Sequence, residues 1–419
     1  MKIFFVYLFF NLLLTQVSVG QTDIVHLQES SSGVTLIVEG KPFMINGMNW
    51  DYFPIGTNYS YELWKQNDQF IKEVLENEMC LLMNIGVNAI RQYTGIPARW
   101  IQYIYENYGI YTMLNHPLGR YGIELDGKTI DPVDYKDKKT QDYLLRELEI
   151  LAMDYKDTPG LLIYLLGNEN NYGLFWKGSE TQNIPTSPEE QKENASAMYQ
   201  LFNEASKVIH EIDHKHPVAI CNGDIQFLDL ISKYCPDVDI LGCNIYRGRS
   251  FGDCFDRVKR EYGKALMFTE FGADAYNAKT NSEDELSQAY YLKENWKEVY
   301  ANAAGMGKAS NCIGGFTFQF SDGWWKHGQT LNLYKHDTHA SWANGGYEND
   351  YVLGKNNMNE EWFGVCAKEP NKLNRPYELK PREAYYTLME IHRYHVYEET
   401  ADLESLNTHF RNIEISKKD

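Results

Sequence analysis

The sequence predicts an α/β fold, a (β/α)8 TIM barrel forming a single domain with long loops on its catalytic face. Three observations carry this expectation. Eight short apolar runs alternate with segments of helical periodicity, the signature of repeated βα units. Most of these runs start apolar and end polar, as buried parallel strands that feed a functional rim should. The chain has 419 residues, a length that suits one barrel with inserted loops, since such barrels exceed roughly 250 residues.

The eight runs are 44–50 (MINGMNW), 89–94 (AIRQYT), 111–117 (YTMLNHP), 161–169 (LLIYLLGNE), 217–224 (PVAICNGD), 239–246 (DILGCNIY), 265–272 (ALMFTEFG) and 314–322 (GGFTFQFSD). Between them, helical patterns cover about 67–83 and 141–154. A third helix starts at Ser187-Pro188-Glu189-Glu190, a capping box with proline at the first helical position, and runs to about Glu211. A second capping box, Ser282-Glu283-Asp284-Glu285, predicts the start of the helix before strand eight. The last helix begins near Pro381. Residues 34–43 read as a hairpin turning at Glu39-Gly40, placed to close the barrel floor. The long polar connection 324–380 has little periodicity, and long irregular loops are commonly functional. It is expected over the catalytic face.

Composition narrows the function. Hydrophobic residues make up 43% and charged residues 23%, enough for a large globular core. The formal net charge of −18 disfavours nucleic acid as a partner, because phosphate would be repelled. Residues 1–20 read as a signal peptide: Lys2, an apolar run from Ile3 to Leu14, and the small residues Ser18 and Gly20 before Gln21. The expected location is therefore secreted or periplasmic, with residues 21–419 as the catalytic domain. The apolar run is short for a membrane span and no second span follows. Cys80, Cys221, Cys235, Cys243, Cys254, Cys312 and Cys366 are odd in number, so at least one thiol is free unless it pairs between chains.

Two carboxylates end buried strands. Glu169 closes strand four in Gly167-Asn168-Glu169-Asn170, and Glu270 closes strand seven in Thr269-Glu270-Phe271-Gly272. A carboxylate after an apolar run is costly without partners or a purpose. Two of them match the needs of glycosidic bond cleavage, in which one carboxyl protonates the leaving oxygen and the other attacks carbon or activates water.

With these motifs the chain resembles clan A glycoside hydrolases. Leu166-Gly167-Asn168-Glu169 is similar to the acid/base motif of glycoside hydrolase family 2, and Thr269-Glu270-Phe271-Gly272 to its nucleophile motif. Single-domain relatives, including fungal-type β-1,3-glucanosyltransferases, look similar at the same motifs. The resemblance spans roughly residues 40–395. It implies retention through a covalent glycosyl-enzyme intermediate, with Glu270 as nucleophile and Glu169 as acid/base. It also implies that Arg91 and Tyr246 hydrogen-bond the nucleophile and that Asn168 holds the sugar 2-hydroxyl. Trp324 or Trp325 would form the floor under the reacting sugar.

His116, Asn222 and Asp224 end strands and are candidate substrate-binding residues. Asn49, Trp50, Asn171, Tyr172, Trp176 and Lys326 are positional candidates for the cleft wall. The expected partner is a carbohydrate, either a β-linked glucan or a related polysaccharide or oligosaccharide. Oligomeric state is not readable. The same residues serve a hydrolase or a transglycosidase, and an inactive carbohydrate-binding barrel is the alternative from another class. No cofactor is expected, because no Gly-rich phosphate loop appears. No metal is expected either, since His336-Asp337-Thr338-His339 has no further clustered ligand.

Overall fold

A computed structural model of the chain describes residues 24–93, 95–177, 182–183, 187–326, 328–371 and 377–416. The expected leader 1–20, Thr94 and the side chain of Trp176 lie outside the described residues. The eight apolar runs form one closed barrel. Its strands are Ile45–Asn49, Ala89–Gln92, Tyr111–His116, Leu161–Leu166, Val218–Gly223, Ile240–Asn244, Ala265–Phe271 and Cys312–Thr317. Each strand pairs in parallel with the next, and the eighth closes on the first.

Alternation along the strands builds two apolar layers. Ile45, Ala89, Met113, Ile163, Ala219, Ile240 and Met267 point inward and fill the lower barrel. Ile90, Leu114, Tyr164, Ile220, Leu241 and Phe268 point outward under the helices. The alternation places Arg91 on the same inward face as Ala89, one layer nearer the strand end.

The expected hairpin pairs Gly33–Val38 with Lys41–Phe43, and Val25–Ser30 adds a third strand. Glu39 and Gly40 both have positive φ, as a two-residue hairpin turn requires. Leu36 and Val38 join the inner layer from below and close the floor.

The helices follow their caps. Asn67 accepts the Phe70 N–H and opens Asp68–Asn84. Asp137 opens Lys138–Tyr155, three residues before the expected start. Ser187 accepts the Glu190 N–H at 3.1 Å and opens Pro188–Ile212. The expected box at Ser282 is corrected: Ser282 and Glu283 pair with Tyr276 and Asn277, and Asp284 caps Glu285–Ala301 instead. Both Ser and Asp are good caps, and pairing removes Ser282 from that role. Glu383–Ile391 follows Pro381, and a further helix, Leu403–Asn412, ends the described fold.

The connection 324–380 is more ordered than its lack of periodicity suggests. It contains a hairpin, Cys366–Glu369 with Glu378–Pro381, and a 3-10 turn at Glu360–Trp362. It is anchored over the strand ends by Asn344, whose amide donates to the Tyr246 carbonyl at 2.9 Å. Among the described residues no helix is long and apolar enough to cross a membrane. All seven cysteines are free.

His392 marks where helix Glu383–Ile391 meets the barrel wall. It is buried, its Nδ1 lies 2.7 Å from the Ile85 carbonyl, and its ring packs edge-on to Trp296 at 4.9 Å. Burial pushes its imidazole down to about 4. The unfolded chain therefore takes the proton first. The stability contributed by neutral His392 is fully present above about pH 6.5 and is lost as pH falls towards about 4. Denaturant melts should show the wild type losing about 2 kcal/mol more than His392→Gln between about pH 7 and about pH 4.5.

Candidate active site

The strand-four motif builds a tight turn. After Leu166, Gly167 has φ +82, and a Cβ there would lie 2.5 Å from Asn170 Oδ1. That oxygen accepts the Asn168 N–H at 2.8 Å. The Asn170 amide donates to the carbonyls of Pro117 and Leu118 and to the Tyr135 hydroxyl. Glu169 then adopts φ +57, a conformation that costs a non-glycine residue about 1 kcal/mol or more. The turn aims its carboxyl at strand six, where Oε1 accepts from the Asn244 amide at 3.0 Å.

Glu270 is held from three sides. Its Oε1 accepts from Arg91 Nη1 at 2.9 Å and from the Tyr93 hydroxyl at 2.6 Å. Its Oε2 accepts from the Tyr246 hydroxyl at 3.0 Å. Arg91 is fully buried and continues the network, with Nη2 donating to Asn168 Oδ1 at 2.8 Å and to Asn115 Oδ1 at 2.9 Å. Burial disfavours its charge, but Tyr93, Cys221 and Glu270 outweigh that effect and hold its pKa above the ordinary arginine value. Asn168 Oδ1 also accepts from Asn244, and its amide donates to the Tyr121 hydroxyl at 2.7 Å. The Tyr246 phenol is pushed up first by burial and then by Glu270, Tyr93 and Glu169. Both glutamates thus face one rim.

Arg91, Asn168, Glu169, Tyr246 and Glu270 come together in this network. The other candidates divide. Trp324 is buried in the connection after strand eight with φ +58, its ring stacked at 5.0 Å on His336, which stacks in turn on Trp362 at 3.8 Å. Trp325 packs against Phe53 and Tyr59. His116 accepts the Leu118 N–H at Nδ1 and turns Nε2 towards Glu147 at 3.6 Å. Asp224 is half-buried and forms a two-point ion pair with Arg247.

Two candidates are corrected. Trp50 does not reach the cleft, because it is fully buried in the shell outside the strands and donates its indole N–H to Glu78 at 2.7 Å. Asn222 builds the loop after strand five. Its amide donates to the carbonyls of Asp224 and Gln226, and its oxygen accepts from Tyr199 at 2.6 Å.

Tyr93, Asn115, Asn244 and Tyr121 belong to the site and were not singled out by the sequence. Tyr93 and Asn244 could have been, since each lies two residues from a candidate on the same strand face, Arg91 and Tyr246 respectively. Among the described residues no cluster of three or more His, Cys, Asp or Glu side chains could hold a metal ion. His336 is used in ring stacking and His339 is exposed.

The architecture has known counterparts. A β-glucuronidase from an uncultured Clostridium sp. superposes with TM-score 0.53 at 20% identity, over 88% of this chain and 53% of that one. The likeness is one of fold, an eight-stranded parallel barrel. A GH2 β-galacturonidase from Eisenbergiella tayi matches with TM-score 0.53 at 13% identity, covering 88% and 54%. The Bacteroides uniformis β-glucuronidase matches with TM-score 0.56 at 14% identity, covering 88% and 37%. This chain therefore spans about half the length of these neighbours or less. Its sequence matches no family model and no curated protein.

Removing the guanidinium would leave Glu270, Asn115 and Asn168 without a shared buried donor. Arg91→Met is expected to lower folding stability by about 3–5 kcal/mol in denaturant melts. Arg91→Lys, which keeps the charge but not the fork, should fall between it and the wild type.

Proposed function

We propose that this chain is a retaining β-glycoside hydrolase acting on a β-linked glucan or related oligosaccharide. The observation that carries the reading is the Arg91 network, which joins Glu270 on strand seven to the loop bearing Glu169 on strand four. Arg91, Tyr93 and Tyr246 place three donors on one carboxylate and fix its orientation towards the cleft. Glu169 sits across the same rim, its Oε1 accepting from the Asn244 amide, and takes the proton-transfer role in this reading.

In this mechanism Glu270 attacks the anomeric carbon while Glu169 gives its proton to the leaving oxygen. A glycosyl ester on Glu270 forms as the glycosidic bond breaks. Glu169 then takes a proton from water, whose oxygen displaces Glu270 and restores the free enzyme. Asn168 is positioned by Arg91 to meet the 2-hydroxyl, a contact that strengthens as positive charge develops at the ring. The named neighbours act on β-glucuronides and β-galacturonides, so both belong in the substrate screen beside β-glucans, mannans and galactans.

Proton NMR of early product should show the β-anomer forming first. Glu270→Gln should lower kcat/KM at least about 10³-fold on any substrate turned over. An initial α-anomer, or unchanged turnover in Glu270→Gln, would contradict the reading. Products longer than the input would show that a sugar acceptor competes with water.

A further inference from the structure

Strand seven breaks its alternation where the site begins. Met267 points inward and Phe268 outward. Regular alternation would bring Thr269 inward and send Glu270 out. Instead the pairing with strand six slips: Cys243 lies opposite Phe268, but Asn244 lies opposite Glu270. Thr269 is the extra residue of this bulge, which re-aims the side chain that follows. Thr269 and Glu270 therefore both reach the interior, and Phe271 returns to the outer layer. The Thr269 carbonyl is held by the Asn49 amide at 3.1 Å and by Arg91 at 3.2 Å.

The Thr269 hydroxyl lies 2.7 Å from Asn244 Oδ1, and the direction of that bond is set from Arg91, which can only donate. Arg91 Nη2 meets Asn168 Oδ1, so that atom is an acceptor. Asn244 stands 3.1 Å from the same oxygen and must present its nitrogen there. Its own oxygen then faces the other way and accepts, from the Thr269 hydroxyl and, at 3.2 Å, from the Cys221 thiol. Burial pushes that thiol up to about 11, so it stays protonated and able to donate. Thr269, Cys221 and Asn244 are all buried, which keeps water from competing for these bonds. The Asn244 amide also donates to Glu169 Oε1 at 3.0 Å. In a protonated carboxyl the carbonyl oxygen is the better acceptor, so a proton on Glu169 belongs on Oε2.

Resting on the function proposed above, we propose that Thr269 is a positioning residue for the acid/base. Through Asn244 its hydroxyl fixes the Glu169 carboxyl, so that the proton on Oε2 is aimed at the leaving oxygen. The dipeptide Thr269-Glu270 thus serves both halves of the reaction. One residue is the nucleophile, and the other anchors the proton donor across the barrel.

Dependence on the leaving group tests this role. An alkoxide is a strong base and needs a proton to leave, whereas 2,4-dinitrophenolate departs as the anion. Alkyl and 2,4-dinitrophenyl β-glycosides of glucose, galactose and glucuronic acid are compared by kcat/KM, which covers the steps up to the glycosyl ester. Thr269→Val keeps the side-chain shape and removes the donor. It should lower kcat/KM about tenfold on the alkyl glycoside of a sugar the wild type turns over, and less than about threefold on its dinitrophenyl counterpart. Thr269→Ser, which keeps the hydroxyl, should recover most of the loss. Cys221→Ala removes the weaker donor and should show the same selectivity with a loss of about threefold; it decides by the same comparison if Thr269→Val does not fold. Equal losses on both leaving groups, no loss in either variant, or no recovery in Thr269→Ser would overturn the proposal while leaving the hydrolase reading in place. Turnover of no glycoside by the wild type would instead contradict that reading, and the proposal with it.

Discussion

The site depends on one buried charge. A guanidinium removed from water is costly unless its donors are met, and Arg91 is met on every side. Its nitrogens reach Asn115 on strand three, Asn168 after strand four, and both the Thr269 carbonyl and the Glu270 carboxylate on strand seven. Its plane also lies over the Tyr93 ring at 4.3 Å. One side chain on strand two thereby ties together the upper rim of the barrel. The interactions that stabilise the rim are the same ones that orient the two glutamates, so stability and chemistry here cannot be separated by a single substitution at Arg91.

Backbone geometry completes the arrangement. Gly167 and Glu169 both take positive φ, and Asn170 holds the turn through four hydrogen bonds. Local strain of this kind persists only where surrounding contacts over-determine it. The connection after strand eight contributes from outside. Trp342 and Phe363 pack around Tyr246 at 6.4 and 5.7 Å, backing the ring whose hydroxyl meets Glu270.

Much of this was legible in the chain because barrel physics leaves local marks. Each strand is an apolar run with a polar end, and Glu169 and Glu270 stood out as charges ending such runs. Arg91 was expected only through the resemblance of the two glutamate motifs to clan A glycoside hydrolases. Trp50 misled because a position just past a strand can turn outward as readily as inward, and its indole found Glu78 in the outer shell. Ser282 misled because Asp284, two residues on, is an equally good cap and is free of the short ladder that takes up Ser282. Tyr121 and Asn344 left no local mark: they reach the site across long sequence separations that only the closed barrel brings together.

The central claim is that Glu270, held by Arg91, Tyr93 and Tyr246, is the nucleophile. It is tested most directly by trapping the covalent intermediate. The protein is incubated with an activated 2-deoxy-2-fluoro β-glycoside of a sugar it turns over, digested, and mapped by mass spectrometry. The account predicts one glycosyl adduct, on the peptide containing Glu270, and no adduct in Glu270→Gln protein. An adduct on Glu169 or elsewhere, or turnover of the reagent without any covalent adduct, would contradict it.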